Sequence, residues 1–407
     1  MLRAIADAYR EAFSGLPRPV WLLALVTFIN RSGTMVLPFL ILYLTEQRGF
    51  SAAAAGRALG AYGLGSLAGV YLGGWLCDRI APRKVMILSL LGQGIGFLIL
   101  SGARSRLAIL SLMLGISLVG EAFRPASASA LVRESKPGDQ ARSFSLNRLA
   151  VNLGMMFGPA VGGFLAAAGY AWLFLADGGT CLLASAFLLA VSRGEILSRR
   201  GAPAPPAAAG GRSPWGDRVF LGVLVLMTLL AMVLFQLFGS YPLTLRGQYG
   251  FSEAQIGLVF AINTLVISLF EMVLVHRLRR HDALRVAGFG SFLFCAGFAM
   301  LPFGSSFAFA SATVLVWTVG EMLSLPILSG WVGSRAQQGT LGATMGLFNL
   351  SFSIALVLGP PVGTWIYARY GGSVLWAGCG VLGLLLWAGF SWLSPGTVGR
   401  RMEAEQA

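Results

Sequence analysis

The chain has 407 residues, 56% of them apolar and only 11% charged, with 54 glycines and a net charge of +14. A soluble domain carries about 25% charged residues, and surface-to-volume scaling leaves a chain this long too much outer surface to hide such an apolar excess. The outer shell must therefore face lipid, which excludes a soluble enzyme and a nucleic-acid-binding domain.

In chain order, the first 19 residues carry charge through their opening turns and hold no short apolar core, so they read as an amphipathic cytoplasmic helix rather than a leader. Apolar segments follow at 20–44, 54–77, 85–103, 107–132, 146–168 and 171–192, then at 218–245, 254–275, 284–303, 307–333, 342–368 and 373–393. A span needs about 20 residues, so these predict an all-α integral membrane protein of twelve transmembrane helices. The polar interval 193–217, rich in Pro, Ala, Gly and Arg, predicts a flexible cytoplasmic linker between a bundle of residues 1–192 and a bundle of residues 218–407. Cys77, Cys181, Cys295 and Cys379 lie in or beside apolar runs, far apart, and predict neither a disulfide framework nor a metal site.

The basic residues cluster at alternate connectors. With the N-terminus in the cytoplasm, 21 of the 30 cations fall inside, six fall outside, and Arg31, Arg124 and Arg148 lie within spans. The positive-inside rule then places both termini in the cytoplasm. The two halves also repeat. Gly49-Phe50-Ser51 with Gly56 returns as Gly250-Phe251-Ser252 with Gly257, and Gly158-Pro159 with Gly162 returns as Gly359-Pro360 with Gly363. Gly120-Glu121 returns as Gly320-Glu321, and Pro125 as Pro326. Parallel repeats predict two six-helix bundles related by pseudo-twofold symmetry, rocking about a central site.

Two motifs carry a resemblance. Gly74-Trp75-Leu76-Cys77-Asp78-Arg79-Ile80-Ala81-Pro82-Arg83-Lys84, between the second and third spans, resembles the loop signature of the major facilitator superfamily. Gly154 with Gly158, Pro159, Gly162 and Gly163 in the fifth span resembles the element of that superfamily's twelve-span drug/proton antiporters. The resemblance implies alternating access, with Asp78 and its neighbours Arg79, Arg83 and Lys84 stabilising one conformation. It also implies a gate helix shaped by Gly154, Gly158, Pro159 and Gly162. From the residues alone, glycines every fourth position expose a bare helix face for close packing, and Pro159 bends the helix. Gly73 and Gly74 likewise permit close approach of another helix. Pure packing in the fifth span and a merely topological loop are the plainer readings.

Charges stranded in spans cost about 2.5–3.5 kcal/mol each at a helix centre. Arg31 in the first span, Glu121 in the fourth and Glu321 in the tenth all fall near mid-membrane, and Arg124 lies one turn from Glu121. Arg31, Glu121, Arg124 and Glu321, with Asn30 and Asn349, are the candidate central substrate and proton site. Glu121 reads as the fixed charge beside Arg124, and Glu321, with no cation near it in sequence, as the proton carrier. The plainer alternative for Glu121–Arg124 is a self-neutralised pair that orients its helix. Asp177 reads as a cap or packing residue and Glu271 as part of a salt bridge near His276 and Arg277. Asn147, Asn152, Asn263 and Gln236 read first as interhelical hydrogen-bonding groups.

These expectations combine in a monomeric secondary transporter of the inner (plasma) membrane, without cofactor or metal. It would export amphipathic or cationic small molecules in exchange for protons. The segment Asn30-Arg31-Ser32-Gly33-Thr34-Met35 distantly resembles the first helix of proton-coupled peptide transporters, with Thr27 and Asn30 in place of that pattern's acids. Peptide uptake is therefore the alternative, and a non-transporting sensor a third. Enzymatic activity has no support in any catalytic set or phosphate loop.

Overall fold

Prolines and glycines set the helix boundaries. The computed structural model describes residues 14–136, 139–192, 216–278, 280–335 and 341–394, among which every regular element is helical and no strand occurs. The elements are α1 (Arg18–Ser32), α2 (Val36–Leu42, running on through a π turn, Tyr43–Gln47), α3 (Ala52–Cys77), α4 (Pro82–Gly102), α5 (Arg106–Gly120), α6 (Phe123–Glu134), α7 (Gln140–Ala168) and α8 (Tyr170–Ser192). The second half follows with α9 (Arg218–Leu234), α10 (Ser240–Gly247), α11 (Glu253–Leu278), α12 (Ala283–Ala299), α13 (Phe307–Arg335), α14 (Leu341–Tyr370) and α15 (Gly372–Leu393). Among the described residues, eleven helical stretches are long and apolar enough to cross a bilayer. Outside those stretches, α3 has 26 residues, enough at about 1.5 Å per residue to span, but is built largely from Ala and Gly. Most of the expected linker lies outside the described residues.

Three expected spans are broken. The first breaks at residues 33–35, where Pro38 lacks the amide that would serve the Thr34 carbonyl, and Thr34 N instead donates to Arg31 O at 3.1 Å. In the fourth span Pro125 leaves Glu121 O without its helical donor, so α5 ends at Gly120 and Arg124 N closes the turn onto Glu121 O at 3.2 Å. The seventh passes through a 3-10 turn, Phe235–Phe238, before α10. In contrast, the tenth span keeps one helix through Pro326.

The sequence repeat is visible as repeated geometry. Gly49 and Gly250 both take positive φ, 63° and 69°, conformations that glycine adopts without strain. After each, the same bond closes the turn, Phe50 N to Leu44 O at 2.9 Å and Phe251 N to Leu245 O at 3.0 Å.

The chain packs as two compact units whose boundaries differ from those of the repeat. The described residues of one fall within 1–37 and 64–204, those of the other within 38–63 and 205–407. Within the first unit, α1 packs on α7 and α8, and α4 on α5, α6 and α8. A Cβ at Gly73 of α3 would lie 2.6 Å from the Ala122 backbone, so glycine is what lets the second span meet the fourth. Apolar side chains including Val20, Leu23, Met86, Leu90, Phe123 and Leu131 fill this unit's core. In the second unit, Gly60 and Gly63 in the first half of α3 pack on Pro361 and Val357 of α14. Its core is aromatic: Trp317 and Trp376 stack on either side of Phe298, each with centroids 5.6 Å away, and Tyr241 meets Phe298 edge-on.

Candidate functional site

The break in the first span gathers the polar groups of the first unit. Met35 N and Val36 N, the amides opening α2, both donate to Asp177 Oδ2 of α8, at 3.2 and 3.1 Å. Asp177 is only 4% exposed, so the expected cap is supplied from a helix 141 residues away. One turn along α8, Cys181 Sγ accepts from Asn30 Nδ2 at 3.6 Å and lies 3.8 Å from Gln93 Oε1 of α4. Asn30, 7% exposed, is thus engaged between helices. Arg31 ends α1, where a cation complements the helix dipole, and its buried Nε has no hydrogen-bond partner among the described residues.

The fifth span receives this break. A Cβ on Gly154 would lie 2.6 Å from Arg31 Cβ and 2.9 Å from Ser32 N, and one on Gly158 would lie 2.9 Å from Thr34 O. Pro159 lies within α7, and Gly162 is buried. The second unit repeats the relation. Gln236, in the 3-10 turn of the seventh span, donates through Nε2 to Met232 O at 3.0 Å and to Gly359 O of α14 at 2.7 Å. Bare glycine faces in the fifth and eleventh spans therefore accommodate bends in the first and seventh.

The two mid-span glutamates have different surroundings. Glu121 caps α5 and pairs with Arg124, Oε2 to Nη1, at 3.5 Å. The Arg124 side chain is 54% exposed, against 15% for Glu121. Arg124 lies in the first turn of α6, just after the break. Glu321 has no ion pair among the described residues. Its Oε2 accepts from Asn263 Nδ2 of α11 at 3.1 Å, and that amide also donates to Thr318 Oγ1 at 3.0 Å. Glu271 lies two turns along α11 from Asn263 and is buried. Asn349 is exposed on α14. Asn263 and Thr318 had not been expected at this carboxylate, because nothing in sequence spacing pairs an eighth-span amide with the tenth span.

At the other ends of the spans, Arg246 Nε donates to Glu46 Oε1 at 2.8 Å, its Nη2 lies 3.4 Å from Glu253 Oε1, and its Nη1 donates to Phe251 O at 3.0 Å. This ties the π turn, the end of α10 and the start of α11.

The sequence as a whole matches the model of the Major Facilitator Superfamily over residues 20–355. The chain belongs to that superfamily. It is 25% identical over 354 residues to the uncharacterized MFS-type transporter YqjV of Bacillus subtilis, with 84% of this chain and 85% of YqjV covered. It is 24% identical over 342 residues to the multidrug resistance protein MdtH of Aeromonas salmonicida (83% and 85% covered). To a Na(+), Li(+), K(+)/H(+) antiporter of Planococcus maritimus it is 23% identical over 378 residues (83% and 87%). Among solved structures, a POT family transporter in complex with 5-aminolevulinic acid superposes with a TM-score of 0.77 at 17% identity, covering 95% of this chain and 98% of that one. The nucleoside transporter NupG does so at 0.74 and 13%, covering 92% and 99%. These likenesses establish the fold.

The superfamily's loop between α3 and α4 has divided its charges. Arg83 pairs with Glu134 at the end of α6, 3.0 Å away. Arg79 lies 3.6 Å over the Trp75 ring and donates to Trp75 O at 3.1 Å. Asp78 and Lys84 are exposed, and Asp78 has no ion pair among the described residues. Of the two glycines, Gly73 meets Ala122, while a Cβ on Gly74 would meet nothing within 4 Å.

Proposed function

We propose that this major facilitator transporter is a proton-coupled exporter, exchanging protons for amphipathic or cationic small molecules by alternating access. The observation that carries the reading is the contrast between its two mid-span carboxylates. Glu121 keeps an arginine partner, whereas Glu321 is held by a neutral amide. A group that gains and loses a proton during turnover needs surroundings that tolerate both forms, and Asn263 can serve either. Arg31 and Arg124 stand with Glu121 as the fixed charges, with Asn349 as a neutral contact, and the loop of Asp78 stabilises one conformation. The names of MdtH and of the Planococcus antiporter favour export by antiport. The protein functions as a monomer in the inner membrane with both termini in the cytoplasm, its repeats being residues 1–192 and 218–407.

The test is transport in proteoliposomes under an imposed pH gradient, against lipophilic cations, dipeptides and sugars. Cation movement opposite to protons supports antiport. Dipeptide accumulation with inward protons would replace it with the uptake reading, and no flux of any probe would point to a sensor.

A further inference from the structure

The carboxylate of Asp177 plays no part in the contrast between Glu121 and Glu321, yet it sits at the one turn on which the first span depends. Three observations converge there. Oδ2 accepts from Val36 N at 3.1 Å and from Met35 N at 3.2 Å, the latter amide also donating to Gly33 O at 2.6 Å. Oδ1 holds no backbone donor and faces Cys181 Sγ at 3.9 Å, in a closed polar cluster completed by Asn30 and Gln93. The chain then passes from one packing unit to the other between residues 37 and 38, directly after the two clasped amides. The turn is therefore both a helix break and the covalent exit from the first unit.

We propose that Asp177 is a second proton-binding group, acting on the conformation of the first span rather than on the solute. A hydronium ion gives its proton to Oδ1: one O–H bond of the hydronium breaks, one O–H bond forms on Oδ1, a water molecule departs and Oδ2 is left as a neutral carbonyl oxygen; nothing is oxidised or reduced. The ionised carboxylate accepts two charge-assisted bonds and opposes the positive end of α2, whereas the neutral acid accepts only ordinary bonds. Protonation therefore loosens the clasp, and α2 can pivot at residues 33–35. The groups facing the carboxylate are Arg31 from α1, whose charge favours the clasped form, the thiol of Cys181 on its own helix, and the neutral Asn30 and Gln93. The fifth span meets the turn through Gly154 and Gly158, which bring no charge. The inference rests on proton coupling as such and not on the role given to Glu321.

Hydrogen exchange of the full-length protein in detergent, without any solute, tests it. The amides of residues 35–47, corrected for intrinsic exchange, are expected to lose about tenfold protection between about pH 8 and pH 5, the gap between a charged and a neutral acceptor. Asp177→Asn keeps an acceptor for both amides and removes the titration, so its protection should be the same at both pH values. Glu321→Gln should retain the wild-type response. Cys181→Ala, which leaves the clasp intact, should shift the midpoint of the response and keeps the test decisive if Asp177→Asn does not fold. A wild-type segment indifferent to pH, a response that survives in Asp177→Asn, or a midpoint unmoved by Cys181→Ala would overturn the proposal. Each can occur whether or not transport is proton-driven, so this inference and the exporter reading fail separately.

Discussion

Replacing Gly154 by alanine adds one methyl group where the fifth span meets the break in the first. The new Cβ would lie 2.6 Å from Arg31 Cβ and 2.9 Å from Ser32 N, inside van der Waals contact with a backbone atom that cannot rotate away. Overpacking of this kind costs about 1–3 kcal/mol, set against a helical gain of roughly 0.5–1 kcal/mol for alanine over glycine. Gly115→Ala is the control, since a Cβ on Gly115 of α5 would meet nothing within 4 Å and should show the helical gain alone. Thermal unfolding in detergent reads the difference, at about 2–4 °C per kcal/mol for a unit of this size. Gly154→Ala should melt several degrees below wild type and Gly115→Ala at or above it. Equal melting of the two variants would mean that α7 does not bear on the turn at residues 31–34, and the gate-helix reading of Gly154 would go with it.

Further outcomes follow from the charged groups. Asp78→Asn should leave thermal stability within about 0.5 kcal/mol of wild type, as for an exposed side chain, and should lower transport turnover; wild-type turnover would leave the loop with a purely topological role. Arg246→Glu should slow transport because it repels Glu46 and Glu253, and the exchange Glu46→Arg with Arg246→Glu should restore part of the rate. The pair is about one-third exposed, so its coupling in a double-mutant cycle should be only about 0.2–1 kcal/mol, and no rescue would mean that the contact has no part in turnover. Glu121→Gln removes the carboxylate that faces Arg124 at 3.5 Å and should lower the melting temperature in detergent, because it leaves a mid-span arginine without its counter-charge; an unchanged melting temperature would mean that the pair contributes nothing to stability.

Much of the fold is local and was therefore legible. Span-length apolar runs, proline and glycine punctuation and the repeat at Gly49 and Gly250 each concern neighbours in sequence, and the paired positive-φ turns appear where the repeat placed them. The breaks were less so. Gly33 and Pro38 sit in a run apolar enough to pass for one helix, and Asp177, arriving from the sixth span, accepts from the Val36 amide that the break exposes and shares the Met35 amide with Gly33 O. The environment of Glu321 likewise depends on Asn263, a partner 58 residues away. Spacing revealed the absence of a cation near Glu321, but not the amide that holds it. The exposure of Arg124 was not legible either, because depth in the membrane does not say whether a side chain points into packed helices.

The most direct test of the account couples the two fluxes in one vesicle. Proteoliposomes loaded with a fluorescent lipophilic cation, at equal pH on both sides, are diluted into cation-free buffer while internal pH is followed with a trapped dye. A proton antiporter must acidify the lumen as the cation leaves, and Glu321→Gln must abolish that acidification. Cation efflux with an unchanged or rising internal pH, or acidification that persists in Glu321→Gln, would contradict it.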